Sequence, residues 1–181
     1  MSREVPVWSR FVRLFHWSLV TTVALAWLTT EVGRGLHEAI GWAMVALLVL
    51  RIFWGLAGNE RAARFSSFVR GPSAVLAYAR AMMQQRAPRF VGHNPLGGWM
   101  VVMLMLTLSA IAFTGWLLGT DAFFGSESME RLHEALAWGL LALVALHVAG
   151  VVYTGSHQHE NLVRAMLSGS KRTPEPGDID A

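Results

Sequence analysis

Four long apolar segments, separated by polar connections, form the main pattern of this chain. They lie at about residues 11–29, 37–56, 96–118 and 129–153, and the third carries no charged residue. Each is long enough to cross the hydrocarbon core of a bilayer as a helix, about 30 Å. The pattern predicts an all-α, integral membrane four-helix bundle within a domain covering residues 1–170.

A long basic connection joins the second and third segments. Within it, Pro72 can occupy the first helical position of a stretch with one apolar side that continues to about Gln85. This stretch predicts a short interfacial helix lying on the cytoplasmic membrane surface. The connection has one acid, Glu60, and its basic residues are Arg61, Arg64, Arg70, Arg80, Arg86 and Arg89.

The termini and the charge distribution predict an orientation. With four spans, thirteen of the fifteen Lys and Arg residues fall on one side of the membrane, if Arg51 is counted as snorkelling to that side. Only Arg34 and Arg131 fall on the other side. The positive-inside rule then places both termini in the cytoplasm. The first apolar segment has no small-residue cleavage site, which favours a retained span over a signal peptide. The polar tail at 171–181, rich in Pro and Gly, is predicted to be disordered.

The composition narrows the possible chemistry. The chain has 181 residues, 54% of them apolar, and no cysteine. It therefore has no disulfides, thiolate metal sites or covalently attached c-type haem. Its basic residues cluster beside apolar segments, which favours a lipid surface over nucleic acid as the partner.

Four histidines lie within or at the ends of the apolar segments. His133 and His147 are 14 residues apart, so both rings leave one helix face, roughly 21 Å apart along the axis. His37 opens the second segment as His133 opens the fourth, and His16 lies 13 residues from the outer end of the first segment at Thr29. The depths predict two pairs, His37 with His133 near the outside and His16 with His147 towards the inside.

Two imidazoles at one depth on neighbouring helices provide the axial ligands of a six-coordinate b-type haem iron. Two haems about 20 Å apart carry electrons across a bilayer in short steps. Gly41 and Ala137, one turn from His37 and His133, leave room for a flat macrocycle and exclude the zinc motif His-Glu-x-x-His. The alternative is that these histidines only join helices by hydrogen bonds, as in a haem-free scaffold or transporter.

Other polar residues have two interpretations each. Arg51 lies 14 residues after His37 and either snorkels to the interface or pairs with a haem propionate. Three more histidines lie at the cytoplasmic edge, and they are either solvated or accept protons at a quinone site: His93, His157 and His159. The third span is predicted to supply packing rather than ligands.

Short motifs around the four histidines carry a family resemblance. They are Leu14-Phe15-His16-Trp17, Leu36-His37-Glu38, Leu132-His133-Glu134-Ala135-Leu136 and Ala145-Leu146-His147-Val148. The connection adds two further motifs, at residues 64–72 and 92–98. Over roughly Trp8 to Gly169 the chain resembles the bacterial cytochrome b561 family, within the wider group of b-type cytochrome subunits of nickel–iron hydrogenases.

The resemblance implies two non-covalent haem b groups, the bacterial inner membrane and electron exchange with ubiquinone or menaquinone. Members differ in their other redox partner, which is a hydrogenase, another dehydrogenase, a c-type cytochrome or superoxide. The expected function is electron transfer between a periplasmic-side redox partner and the quinone pool. A self-contained superoxide:quinone oxidoreductase is the alternative. His16, His37, His133 and His147 are the expected iron ligands, with Arg13 and Arg51 as propionate partners.

Overall fold

A computed structural model describes residues 4–58, 60 and 63–179 of the chain. Arg61 of the basic connection and the outermost residues of both termini, which the predicted domain and tail include, lie outside the described residues. The helices are α1 Arg10–Leu28, α2 Arg34–Ala57, α3 Phe65–Phe68, α4 Pro72–Met83, α5 Pro95–Leu118, α6 Glu127–His157 and α7 Leu162–Ser168. Two short strands, β1 Glu4–Pro6 and β2 Ser170–Arg172, pair antiparallel.

The four predicted spans are present as helices α1, α2, α5 and α6. All four are long and apolar enough to cross a membrane. The helix α6 has 31 residues and extends beyond the predicted span at both ends. Glu127 and Glu130 lie in its first turn, where negative charge interacts favourably with the helix dipole and extends the start of the helix.

Large apolar side chains on these helices face outwards. Leu106 is 61% exposed and Leu146 is 59% exposed, and Phe113 and Val152 are similar. An apolar surface of this extent is unfavourable in water, whereas the lipid tails of a bilayer can cover it. The backbone of a helix can also lie in lipid, because its hydrogen bonds are satisfied within the helix.

The chain divides into two compact units. Unit 1 consists of Met1–Leu14, Phe53–Val102 and Leu146–Ala181, and unit 2 consists of Phe15–Ile52 and Met103–Ala145. Each of the four long helices therefore contributes residues to both units.

The amphipathic helix predicted after Pro72 is present as α4. Its Tyr78 is buried and lies against Phe90, with ring centroids 5.5 Å apart, while Leu76 and Met83 are exposed. Burial raises the pKa of the Tyr78 hydroxyl, against hydrogen bonds from Gln158 and Asn94 that lower it. The position of α4 on a membrane surface stays a prediction.

A buried group of ions in unit 1 holds the C-terminal segment. Arg89 contacts both carboxylate oxygens of Glu160, at 2.9 and 3.3 Å, and also pairs with Asp178. Lys171 lies 3.9 Å from the Glu160 carboxylate. All four side chains are at most 10% exposed. We call these four residues the ion cluster.

The two carboxylates of the ion cluster are stabilised by its cations. Burial alone raises the pKa of the Glu160 carboxyl, but the Arg89 hydrogen bonds and the Lys171 and Arg89 charges together hold that pKa below its ordinary value. The pKa of Asp178 is also lowered, because hydrogen bonds from the Glu175 backbone and from Arg89 outweigh the effect of burial. Burial lowers the pKa of Lys171, against the attraction of Glu160.

The C-terminal segment differs from the predicted disordered tail. Lys171 and Arg172 belong to β2, and Ile179 forms a parallel bridge with Phe90. The sequence pattern contains no sign of this order, because the carboxylate and the arginine that hold the segment are 89 residues apart in the chain. Over these residues the segment is held by backbone pairing and by ionic contacts.

Candidate functional site

The structure brings two of the four predicted ligands together in unit 2. His37 lies in the first turns of α2 and His133 near the start of α6. Their ring centroids are 6.3 Å apart and their planes are inclined at 77°. Both side chains are half-buried. The pairing predicted from helix depth is therefore present in space, while the role of the two rings as ligands stays a prediction.

The backbone fixes the tautomer of His37. Its Nδ1 lies 3.0 Å from the carbonyl oxygen of Ala26, in α1. A carbonyl oxygen can only accept a hydrogen bond, so Nδ1 carries the proton and donates it. The Nε2 atom of neutral His37 therefore keeps its lone pair, which is the state that a metal-ligating imidazole needs.

His133 is held by α5. Its Nδ1 lies 2.9 Å from the hydroxyl oxygen of Thr114. The adjacent Gly115 leaves space for the ring, because a Cβ atom at that position would lie 3.2 Å from His133 Cε1. Nδ1 has a partner in this ring too, and the Nε2 atom is left for another contact.

The separation of the two rings fits a shared iron. A bond between a metal and an imidazole nitrogen is about 2 Å long. With roughly 1 Å from each nitrogen to its ring centre, two axial imidazoles on one iron have centroids about 6 Å apart. The observed 6.3 Å agrees with this distance. The fit requires the Nδ1 atoms to face the protein, as both do.

The other two predicted ligands lie in different units. His16 is on α1 in unit 2, and its ring is 5.2 Å from that of Trp17. His147 is on α6 in unit 1. Both are half-buried, like the first two. The predicted pairing of His16 with His147 stays a prediction.

The two predicted propionate partners have protein contacts. Arg51, in α2, is 5% exposed, and its guanidinium lies 6.0 Å from the centre of the Phe15 ring. Arg13, in α1, donates from Nη1 to the carbonyl oxygen of Leu167. Its Nε is buried and has no hydrogen-bond partner among the described residues.

The three histidines predicted at the cytoplasmic edge have different surroundings in unit 1. His93 is half-buried, with ring centroids 4.8 Å from Trp8 and 4.5 Å from Phe68. His157 stacks on Tyr153 at 6.1 Å. His159 is exposed, with a φ of 50°. Full solvation, one of the two interpretations, therefore applies only to His159.

Sequence reasoning missed Thr114, because the third span was expected to supply packing only. The depth comparison used for the histidines would have found it. Thr114 lies four residues before the predicted end of the third span, and His133 lies four residues after the predicted start of the fourth. Adjacent antiparallel helices place such positions at one level.

Four helices that are apolar enough to span a membrane, two of which bring a pair of imidazoles together, are compatible with a membrane cytochrome of the b type. The model of the family described as prokaryotic cytochrome b561 matches residues 7–169. The chain belongs to this family. Membership implies a multi-pass membrane protein that binds b-type haem and transfers electrons across the membrane.

Two curated relatives have the same name, probable Ni/Fe-hydrogenase B-type cytochrome subunit. The protein from Rhizobium leguminosarum bv. viciae is 27% identical over 164 residues, which cover 76% of this chain and 68% of the relative. The protein from Cupriavidus necator is 25% identical over 160 residues, which cover 75% of this chain and 66% of the relative. The chain thus spans about two thirds of their length. No solved structure matches the chain significantly.

Proposed function

We propose that this chain carries electrons between a redox partner on the periplasmic side and quinone in the bacterial inner membrane, through two bis-histidine haem b groups. The observation that carries the proposal is the His37–His133 pair. Its rings are 6.3 Å apart, and both Nδ1 atoms are engaged by the protein. The two imidazoles would hold a b-type haem, which would supply one-electron transfer at its iron.

The second pair, His16 with His147, extends the path towards the cytoplasmic side. His147 lies 14 residues after His133 in the continuous helix α6, which corresponds to roughly 21 Å along the axis. The helix α6 then supplies one ligand to each pair, and α1 and α2 supply the others. The dihaem domain covers residues 1–170, with both termini in the cytoplasm, as the excess of basic residues supports.

Arg13 and Arg51 are the proposed partners of the haem propionates. A guanidinium binds a carboxylate through paired, charge-assisted hydrogen bonds. The buried Nε of Arg13, which has no protein partner among the described residues, supports its assignment. The place of Arg51 in α2, 14 residues after His37 and so on the same helix face, supports the second assignment.

The partner on the periplasmic side is proposed to be a hydrogenase. Both relatives are named as hydrogenase subunits, which supports this choice over another dehydrogenase or a c-type cytochrome. On the opposite side, the basic connection and α4, with its exposed Leu76 and Met83, are proposed to lie on the membrane surface. Electrons are proposed to reach the quinone, ubiquinone or menaquinone, at this side of the membrane.

A pyridine haemochrome spectrum of the purified full chain tests the cofactor. We expect a b-type spectrum with about two haems per chain. A chain without haem would contradict the proposal and would favour the haem-free scaffold or transporter.

Quinone reduction in proteoliposomes tests the path. We expect reduction when a hydrogenase and hydrogen are supplied outside, and none when superoxide alone is supplied. Reduction by superoxide alone, without any protein partner, would replace the proposal with the self-contained superoxide:quinone oxidoreductase.

A further inference from the structure

Two different kinds of acceptor hold the rings of the His37–His133 pair. His37 Nδ1 donates to the backbone carbonyl of Ala26, at 3.0 Å. His133 Nδ1 lies 2.9 Å from the side-chain hydroxyl of Thr114. A carbonyl can only accept, whereas a hydroxyl can accept or donate. His133 Nδ1 is thus held by a side chain, whereas His37 Nδ1 is held by the backbone.

The surroundings of Thr114 direct its hydroxyl proton away from His133. The oxygen lies 3.0 Å from the carbonyl oxygens of both Ala110 and Ile111, which can accept that proton. The hydroxyl has one proton only, so its lone pairs then face the imidazole. Thr114 is 5% exposed, and a donated proton polarises the hydroxyl oxygen into a stronger acceptor where water has little access.

We infer that Thr114 is a positioning residue whose hydroxyl oxygen accepts the Nδ1–H of His133, so that Nε2 is held as the iron-facing nitrogen. The inference rests on the proposed function, because it assigns a role to the residue behind a proposed ligand.

The hydrogen bond has a measurable consequence for the haem at this pair. An acceptor on one ring nitrogen makes the other nitrogen a stronger electron donor to the metal. Stronger donation favours oxidised iron and lowers the reduction potential. Removing the Thr114 hydroxyl should therefore raise the potential of this haem alone. The His133 ring also lies closely against Gly115 of α5, so the ring should stay in place and the haem should remain bound.

Three variants test the inference in the purified holoprotein. Thr114→Val removes the acceptor at nearly constant shape, and Thr114→Ser retains it. Thr107→Val is the matched control, because among the described residues the Thr107 hydroxyl, also on α5, bonds to the Met103 carbonyl of its own helix alone, at 2.9 Å. Redox titrations followed by visible spectra give the two potentials, and His37→Ala identifies the one that belongs to this pair.

We expect Thr114→Val to raise that potential and leave the other unchanged, while Thr114→Ser restores it and Thr107→Val does not move it. Loss of this haem from Thr114→Val with full retention in Thr114→Ser also supports the positioning role. Equal potentials in Thr114→Val and wild type would overturn the inference, as would equal shifts in Thr114→Val and Thr107→Val.

A second measurement does not depend on electron transfer. In the full chain as purified and kept reduced, ¹⁵N NMR of the histidine side chains reports which nitrogen of His133 is protonated. We expect protonation at Nδ1 in the wild type and Thr114→Ser, and a partial loss of it in Thr114→Val. Protonation at Nε2 in the wild type would contradict the inference even if two haems are present. Absence of haem with Nδ1 protonated would contradict only the proposed function.

Discussion

The chain contains two polar sites that are built in opposite ways. In unit 2, two half-buried imidazoles lie 6.3 Å apart, and each is held through Nδ1 by one uncharged acceptor. In unit 1, Arg89 contacts two carboxylates, and Lys171 lies beside one of them. The first site leaves a nitrogen of each ring for a ligand, whereas the second uses its charges on one another.

The comparison shows how a polar site that can bind a ligand differs from one that only stabilises the fold. A buried ion pair whose members satisfy each other has little capacity for a further partner, and removal of one member leaves an uncompensated charge. An imidazole with one nitrogen engaged is oriented and still able to ligate. The ion cluster therefore fastens the C-terminal segment, and the imidazole pair is suited to hold a cofactor.

Substitution of the histidines should have the largest effect. We expect His37→Ala and His133→Ala each to lower the haem content from about two to about one per chain, because a bis-histidine site needs both ligands. His16→Ala and His147→Ala should each remove the other haem. The haemochrome assay gives the number of haems per chain, and low-temperature spectra show which of the two haems is lost.

The control for this series is His159→Asn, at an exposed position, which should keep both haems. The pairing itself is tested by double variants. His37→Ala combined with His133→Ala should lose no more haem than either alone, and a larger loss would show that the two residues serve different haems.

Breaking the ion cluster should destabilise unit 1 without loss of haem at the His37–His133 pair. Arg89→Ala leaves Glu160 and Asp178 buried without their main partner and should cost about 3–5 kcal/mol. Thermal unfolding in detergent and faster proteolysis after residue 169 measure the effect.

The matched control is Arg131→Ala. Arg131 forms a salt bridge with Glu127 at 3.2 Å, but the two side chains are 70% and 83% exposed. Loss of an exposed pair should change stability by less than about 1 kcal/mol. Equal effects of Arg89→Ala and Arg131→Ala would mean that the buried cluster does not fasten the segment.

The stability of unit 1 should fall in acid. The pKa of Glu160 is lower in the folded chain than its ordinary value of 4.5. A lowered folded pKa means that its contribution is fully present above the unfolded pKa and is lost as the pH falls through the folded pKa. We therefore expect declining thermal stability below about pH 4.5, and a weaker decline in Glu160→Gln. An unchanged decline in that variant would assign the effect to other carboxylates.

The smallest effect should come from Gly115→Ala. The added Cβ would lie 3.2 Å from His133 Cε1, so the ring must move by a few tenths of an ångström, and we expect a modest shift in the haem spectrum. Gly139→Ala in α6 is the control, because its Cβ would meet nothing within 4 Å. It should leave the spectrum unchanged and slightly favour the helix. Identical spectra for both variants would contradict the close packing at Gly115.

Much of the architecture could be predicted from the sequence. Length and apolar composition determine the four spans, because a helix that crosses a bilayer needs about 20 apolar residues whatever its neighbours are. Helical periodicity relates His133 to His147, and alternation of the spans brings His37 to the depth of His133. Each of these features depends on one helix or on the direction in which it runs, so it can be predicted from a single sequence.

The packing of the helices determines which atoms face the rings, and contacts between distant residues hold the C-terminal segment. The Ala26 carbonyl and the Thr114 hydroxyl reach the Nδ1 atoms because α1 and α5 pack beside α2 and α6 within unit 2. Arg89 meets Asp178 across 89 positions of the chain. Contacts of this kind depend on the rotation and spacing of packed elements, which no periodicity along the chain encodes.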